Sequence, residues 1–293
     1  MDPAEIAARV WPGRKLGVEP LGGGITNRNF KVSVDGDVFV LRVGGKDTEL
    51  LGIDRGAEHE AARAAAAAGV APEVVAFLEP EGYLVTRFVA GEIPPPEELR
   101  TPEGLERVVA ALRAVHAGGP LRARFDSFRV VEAYRDEAER HGVRVPPAYE
   151  RAHALARRIE PARARAPRVP CHNDLLNANF IRDGERLWIV DWEYAGTGDV
   201  FFDLANFSVN HELEPDEDDE LLHSYFGERR AEDAAALTLM RFMSDFREAM
   251  WGVVQQGISE LDFDFVAYAD EHFERLEQTA ADPAFRAALR SAA

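Results

Sequence analysis

Three successive prolines, Pro94-Pro95-Pro96, divide the chain into two stretches of different texture. A proline run has no amide to give to a helix or a ladder and fixes its own backbone torsion, so no regular element crosses it. Ahead of it, LGVEPL (16–21), NFKVSV (29–34) and DVFVLRV (37–43) alternate apolar and β-branched residues and are separated by Gly22-Gly23-Gly24 and by Asp35-Gly36. This is the pattern of a strand meander. DRGAEHEAARAAAAA (54–68) has the alanine content of a helix and stops at Gly69. Two further strand-like runs, EVVAFL (73–78) and GYLVTRFV (82–89), lead into the prolines. Beyond them the segments 104–118, 130–142, 147–160, 231–256 and 262–278 carry apolar residues at helical spacing. Residues 168–194, RVPCHNDLLNANFIRDGERLWIVDWEY, interrupt the helices with a loop and a short hairpin turning at Asp183-Gly184.

The pattern predicts an α+β fold of two lobes: a small β-rich N-lobe over 1–89, a linker near 88–97, and a large helical C-lobe over 90–293. At 293 residues and 46% hydrophobic composition the chain can bury a full core. No repeat of fixed period points to a solenoid. No apolar stretch is long enough to span a bilayer, and MDPAEIAARVWPG lacks a basic segment followed by an apolar one, so a cytoplasmic location is expected. A net charge of -18 lacks the basic footprint that nucleic acids and anionic membranes require, and suits a cationic ligand. The acidic run EPDEDDE (214–220) reads as a solvated loop and helix start. Cys171, the single cysteine, cannot form an internal disulfide and is read as a small core residue.

Chemistry concentrates in the interrupting segment. His172-Asn173-Asp174-Leu175 is followed by Asn179, five positions after the aspartate, and by Ile189-Val190-Asp191 closing a short strand. Asp and Asn often do no more than cap turns. Here their spacing supplies what phosphoryl transfer needs: a carboxylate to orient a hydroxyl and take its proton, and hard oxygen ligands for Mg2+. Asp174, Asn179 and Asp191 are therefore the candidate catalytic residues, with Asn179 and Asp191 as metal ligands. GGGITN (22–27) lies between two strands, where a glycine turn lets backbone amides approach phosphate oxygens.

These segments resemble the catalytic and metal loops of the choline/ethanolamine kinase family, part of the aminoglycoside phosphotransferase-like superfamily, whose fold is similar to that of protein kinases. DWEYAG (191–196) followed by FFDLAN (201–206) has the form of that branch. The similarity continues through ITNRNF (25–30), VFVLRV (38–43), the helix with Glu58, and WGVVQQGISELDFDFVAYADEHF (251–273). It covers most of residues 20–275.

The resemblance implies a two-lobed protein-kinase-like fold that binds ATP and Mg2+. It implies nucleotide contacts from Gly24, Thr26 and Asn27, and from Arg42 in the place of the kinases' phosphate-binding lysine. Glu58 would pair with Arg42, Glu60 being its rival, and the main chain of Arg87 to Val89 would meet adenine. Asp203, Asn206, His116 and His172 are expected to support the loops. The acceptor pocket would be formed by Asp174, Glu193, Tyr194, Trp251, Phe263 and Tyr268.

There are two departures. Glu248 stands where the family has a tryptophan three residues before Trp251, and Asn210 where it has an acid, with Glu212 nearby at a different spacing. A carboxylate in place of a tryptophan keeps attraction for a cation and removes aromatic enclosure, which favours an amine with N–H groups. The implied activity is ATP-dependent phosphorylation of the hydroxyl of a small cationic amino alcohol, choline first and ethanolamine next. The alternatives are a kinase for thiamine or an aminoglycoside, and a non-catalytic nucleotide-binding pseudokinase, which would have no need of the intact Asp174, Asn179 and Asp191.

Overall fold

The structure, a computed structural model, describes residues 2–22, 27–45 and 48–291. Helix α1 (Pro3–Val10) starts at Asp2, whose side chain accepts a hydrogen bond from the Ala4 amide. Strands β1 (Leu16–Leu21), β2 (Asn27–Val34) and β3 (Asp37–Gly44) follow, then helix α2 (Arg55–Ala67) and strands β4 (Val74–Leu78) and β5 (Tyr83–Arg87). The five strands form an antiparallel sheet in the order β1-β2-β3-β5-β4. The β2–β3 turn places Asp35 and Gly36 at φ of 54° and 92°, the mirror-image turn that matches strand twist in two-residue hairpins.

The period of two along the strands sorts the sheet into two faces. Phe39, Leu41, Val43 and Val85 are buried on one face together with Ile6 and Ala7 of α1. Their neighbours Val40, Arg42, Leu84 and Thr86 lie on the other face and line a cleft. Register aligns Asn29 with Arg42 and Arg42 with Leu84 across three strands. Helix α2 carries an N-cap at Asp54, worth about 1 kcal/mol for such a residue. It packs Ala61, Ala62 and Ala65 into the larger core.

The larger part is helical: α3 (Pro96–Leu99), α4 (Pro102–His116), α5 (Ser127–Arg140) and α6 (Ala148–Arg163), then α7 (Val200–Asn210), α8 (Pro215–Phe226), α9 (Ala231–Ile258), α10 (Phe265–Ala281) and α11 (Pro283–Ser291). The 28-residue α9 is buried along most of its length and packs against α5, α7 and α10. Between α6 and α7 run β6 (Arg168–Cys171), the hairpin β7 (Phe180–Asp183) and β8 (Arg186–Ile189), and β9 (Gly196–Asp199), which pairs antiparallel with β6. Strand β6 lies within the segment 168–194 whose sequence reads as a loop and hairpin, and β9 follows directly after it.

The linker is fastened to this hairpin. Glu92 and Arg182 exchange both main-chain hydrogen bonds, at 3.0 and 2.8 Å. A Cβ at Gly91 would lie 2.3 Å from the Arg182 carbonyl oxygen, so this approach requires glycine. The Ile189 amide in turn reaches the Val70 carbonyl just beyond α2. Among the described residues no helix is long and apolar enough to cross a membrane.

Candidate active site

The cleft between the sheet and the helical part measures about 570 Å³. Its floor is the loop after β6, held from below by α7. The Asp203 carboxylate accepts the His172 amide at 2.8 Å and the Asn173 amide at 2.6 Å, and Asn206 Oδ1 accepts the Leu175 amide at 2.5 Å. Asn173 takes a positive φ of 66°. The His172 ring accepts the Asp174 amide at Nδ1, so Nε2 carries the proton and donates to the Val190 carbonyl. Burial lowers the His172 pKa, consistent with that neutral ring.

This loop aims Asp174 into the cleft and brings Asn179 beside it. The Asn179 amide nitrogen donates to the Asp174 carbonyl at 2.8 Å and lies 3.3 Å from Asp174 Oδ2. That leaves the amide oxygen as its ligand atom. The Val190 amide bonds the Asn179 carbonyl, which sets Asp191 next to it. Asp191 has φ 69°, a left-handed conformation uncommon for a residue with a side chain and concentrated at functional sites. A carboxylate and an amide oxygen, without thiol or imidazole, form a donor set that suits Mg2+.

Among the described residues, His116, Cys171 and Asp203 are the one His, Cys, Asp or Glu group close enough to share a metal. Its atoms are already committed. His116 bonds Tyr225 and Asp203, and burial pushes the Cys171 thiol up, away from the thiolate a metal needs.

Above the floor, Arg42 on β3 donates to Glu58 at 2.8 Å and to Asp191. Glu58 is 2% exposed, whereas Glu60 accepts the Arg122 amide at the molecular surface, so Glu58 is the partner of Arg42. Arg55, which the sequence did not single out, bonds Glu58 at 2.7 Å, Glu193 at 3.0 Å and the Asn27 side chain at 2.9 Å. Asn27 donates to Glu193 at 2.8 Å. Two arginines and three carboxylates thus join the sheet and α2 to the loop after β8. Burial and the Asp191 charge push Glu193 above the ordinary carboxylate range, and Arg42 opposes them.

The sequence-predicted nucleotide residues are therefore redistributed. Gly24 and Thr26 lie outside the described residues. Asn27 serves the network just described. The Arg87 guanidinium points to Glu73 and Asp37 on the surface, and the Arg87 and Phe88 amides are taken by the Glu73 and Val38 carbonyls. Of the amides in that segment, Val89 is left for a ligand. Val40 and Leu84 above, with Leu176, Ile181 and Val190 below, make an apolar slot beside it.

On the other side of Asp174 the cleft is lined by Tyr194, Arg247, Glu248, Trp251 and Tyr268. Tyr268 can approach α9 because a Cβ at position 252 would lie 2.9 Å from its ring, and the residue there is Gly252. Its hydroxyl donates to Glu248 at 2.9 Å, and the Trp251 indole N–H donates to the Tyr194 hydroxyl at 3.2 Å. Two sequence-based expectations shift. Phe263 is 44% exposed, packs against Phe265 and Tyr268, and does not line the cleft. Glu193 lines the cleft, but its carboxylate is held by Arg55 and Asn27 instead of facing the aromatic group.

The second residue not anticipated is Arg247. It is 1% exposed, and both of its terminal nitrogens lie 3.2 Å from Asp174 Oδ1. Burial pushes the Asp174 carboxyl above its ordinary range, against the pull of Arg247.

A model of the phosphotransferase enzyme family matches residues 17–237 of this chain. The chain belongs to that phosphotransferase family. Ethanolamine kinase 2 of Mus musculus is 27% identical over 297 residues, spanning 90% of this chain and 76% of the relative. The crystal structure of a choline/ethanolamine kinase family protein from Mesorhizobium loti superposes with a TM-score of 0.84 at 33% identity, covering 100% of this chain and 99% of that one. Choline kinase LicA from Streptococcus pneumoniae shares the fold, with a TM-score of 0.79, 22% identity, and coverage of 95% and 97%. This phosphotransferase has the two-lobed, protein-kinase-like fold and is of the choline/ethanolamine kinase type.

Proposed function

We propose that this phosphotransferase transfers the γ-phosphoryl group of ATP to the hydroxyl of a small cationic amino alcohol, choline or ethanolamine. Residues 1–89 would form the nucleotide-binding lobe and 90–293 the lobe that carries the acceptor. The observation that carries this reading is the position of Asp174. It lies between Asn179 and Asp191 on one side and Glu248, Tyr194 and Trp251 on the other. A hydroxyl seated there has the Asp174 carboxylate within reach.

The hydroxyl oxygen bonds to the γ-phosphorus as the bond from phosphorus to the β–γ bridging oxygen breaks. ADP leaves with that electron pair, and Asp174 takes the hydroxyl proton. Asn179 and Asp191 would hold magnesium, which when bound would neutralise phosphate charge. Arg42, kept ionised and oriented by Glu58, offers its guanidinium to the phosphates. The apolar slot beside Val89 accepts adenine.

Coupled ADP release tests this with choline, ethanolamine, a neutral alcohol of choline's shape, thiamine and an aminoglycoside, each with Mg2+ and then with excess chelator. The amino alcohols are expected to turn over, the neutral alcohol poorly, and chelation to abolish activity. Equal turnover of the neutral alcohol, or activity that survives chelation, contradicts the reading.

Arg42→Ala should raise the KM for ATP by about 10- to 100-fold, the range of a lost charge-assisted hydrogen bond, and change the acceptor KM much less. A change confined to the acceptor would remove Arg42 from the phosphate site.

A further inference from the structure

Among the described residues, Arg247 heads the largest fully buried side chains. A buried cation persists only where its charge and its donors are satisfied. Arg247 bonds Asp174 from both terminal nitrogens, the Asn173 carbonyl at 3.1 Å, and Glu248. Its remaining N–H, on Nε, is buried without a partner among the described residues. The guanidinium also lies over Tyr194, with Cζ 4.6 Å from the ring centroid.

That position matters for the acceptor. A quaternary ammonium has no N–H, so aromatic faces and a negative field are all that can hold it. One face of Tyr194 is already covered by a cation of the protein's own. Trp251 meets Phe265 and Tyr268 at 5.7 and 5.5 Å in edge-on contacts, and its N–H is engaged by Tyr194. Beside these rings the cleft offers Glu248, whose two oxygens accept one bond each from Arg247 and Tyr268. A carboxylate has lone pairs beyond those two, and they can receive N–H donors from an amine.

We propose that Arg247 is a specificity-determining residue: it stands on Tyr194 in place of a quaternary ammonium and restricts the acceptor to amino alcohols whose nitrogen carries N–H for Glu248. This rests on the amino-alcohol reading above and narrows it.

The test is kcat/KM for ethanolamine, its N-methyl and N,N-dimethyl derivatives, and choline, in the wild type, R247M and E248Q. Each methyl removes one donor and adds bulk. In the wild type kcat/KM is expected to fall by about tenfold or more from ethanolamine to choline. R247M should lower kcat for every acceptor, because Asp174 loses its anchor. That uniform loss cancels in the ratio of ethanolamine to choline, which should shrink to about threefold or less. E248Q, which replaces the charged acceptor of the N–H groups by a neutral one, should flatten the same series.

A wild type that uses choline as well as ethanolamine overturns the proposal without recourse to any variant, so it stays open to refutation even if R247M does not fold. A ratio unchanged in both variants overturns it too, while leaving the amino-alcohol reading intact. Turnover of none of the four, with another alcohol phosphorylated instead, overturns that reading and the proposal with it.

Discussion

Asp174→Asn is expected to lower kcat by about 10²- to 10⁴-fold, the usual range for loss of a general base, while ATP binding persists. Asparagine has nearly the shape of aspartate, and its carbonyl oxygen can still accept the Arg247 N–H groups now 3.2 Å from Oδ1. The other atom changes in kind. Asp174 Oδ2 lies 3.3 Å from the Asn179 amide nitrogen and is the oxygen available to a hydroxyl. In the variant an NH2 group stands there, which can neither take a proton nor accept a bond. The buried setting sharpens the contrast, because burial raises the basicity of the carboxylate relative to an exposed aspartate. Single-turnover kinetics, with a thermal shift on adding ATP and Mg2+, separate loss of chemistry from loss of binding. Turnover near that of the wild type would remove Asp174 from the mechanism.

The parts of the fold that were legible are those whose own residues decide their surroundings. Strand β3 reads from sequence because Phe39, Leu41 and Val43 must face α1 while Val40 and Arg42 must not. Helix α9 reads because an apolar stripe of that length has few other solutions. Strands β6 and β9 do not, since RVPC and GTGD are short and rich in Pro or Gly, and their pairing depends on partners about thirty residues away.

The same distinction governs the site. Asp174, Asn179 and Asp191 sit within one loop and hairpin, so spacing alone suggested a shared cleft. Arg55 and Arg247 were passed over because an arginine in a helix reads as a solvated residue. Their burial is created by Glu193 in the first case and by Asp174 in the second, each far away in the chain. Asn27 shows the converse: its motif suggests phosphate, but Glu193 and Arg55 claim both ends of its amide. Phe263 follows the helical spacing of its neighbours, yet it precedes α10 and stays exposed beside Phe265 and Tyr268.

Asp203→Ala should be among the most destabilising single changes and should also slow catalysis, although Asp203 does not line the cleft. Its carboxylate is fully buried and accepts from the His172 amide, the Asn173 amide and the His116 ring. Alanine strands two buried amides and an imidazole N–H, and each unmet donor costs about 1 to 3 kcal/mol, so a loss of about 3 kcal/mol or more is expected. At about 2 to 4 °C per kcal/mol for a chain of this size, the melting temperature should fall by roughly 10 °C. The catalytic effect follows from geometry. Asn173 is held at positive φ by the bond from its amide to Asp203, and Asp174 follows directly. Once released, the loop can relax towards ordinary torsions and carry Asp174 away from Asn179, and a displacement of about 1 Å can cost about 10² in rate. Asp203→Asn is the control, because it keeps one carbonyl acceptor but turns an NH2 group towards one of the loop donors, and it should fall between alanine and wild type in both properties. Both variants are to be assayed well below their melting temperatures, so that kcat reports the folded enzyme. If Asp203→Ala melts within about 2 °C of the wild type, less than the loss of a single buried hydrogen bond would give, Asp203 is not the anchor of this loop, and the placement of Asp174 must be held by Asn206 and Arg247 instead.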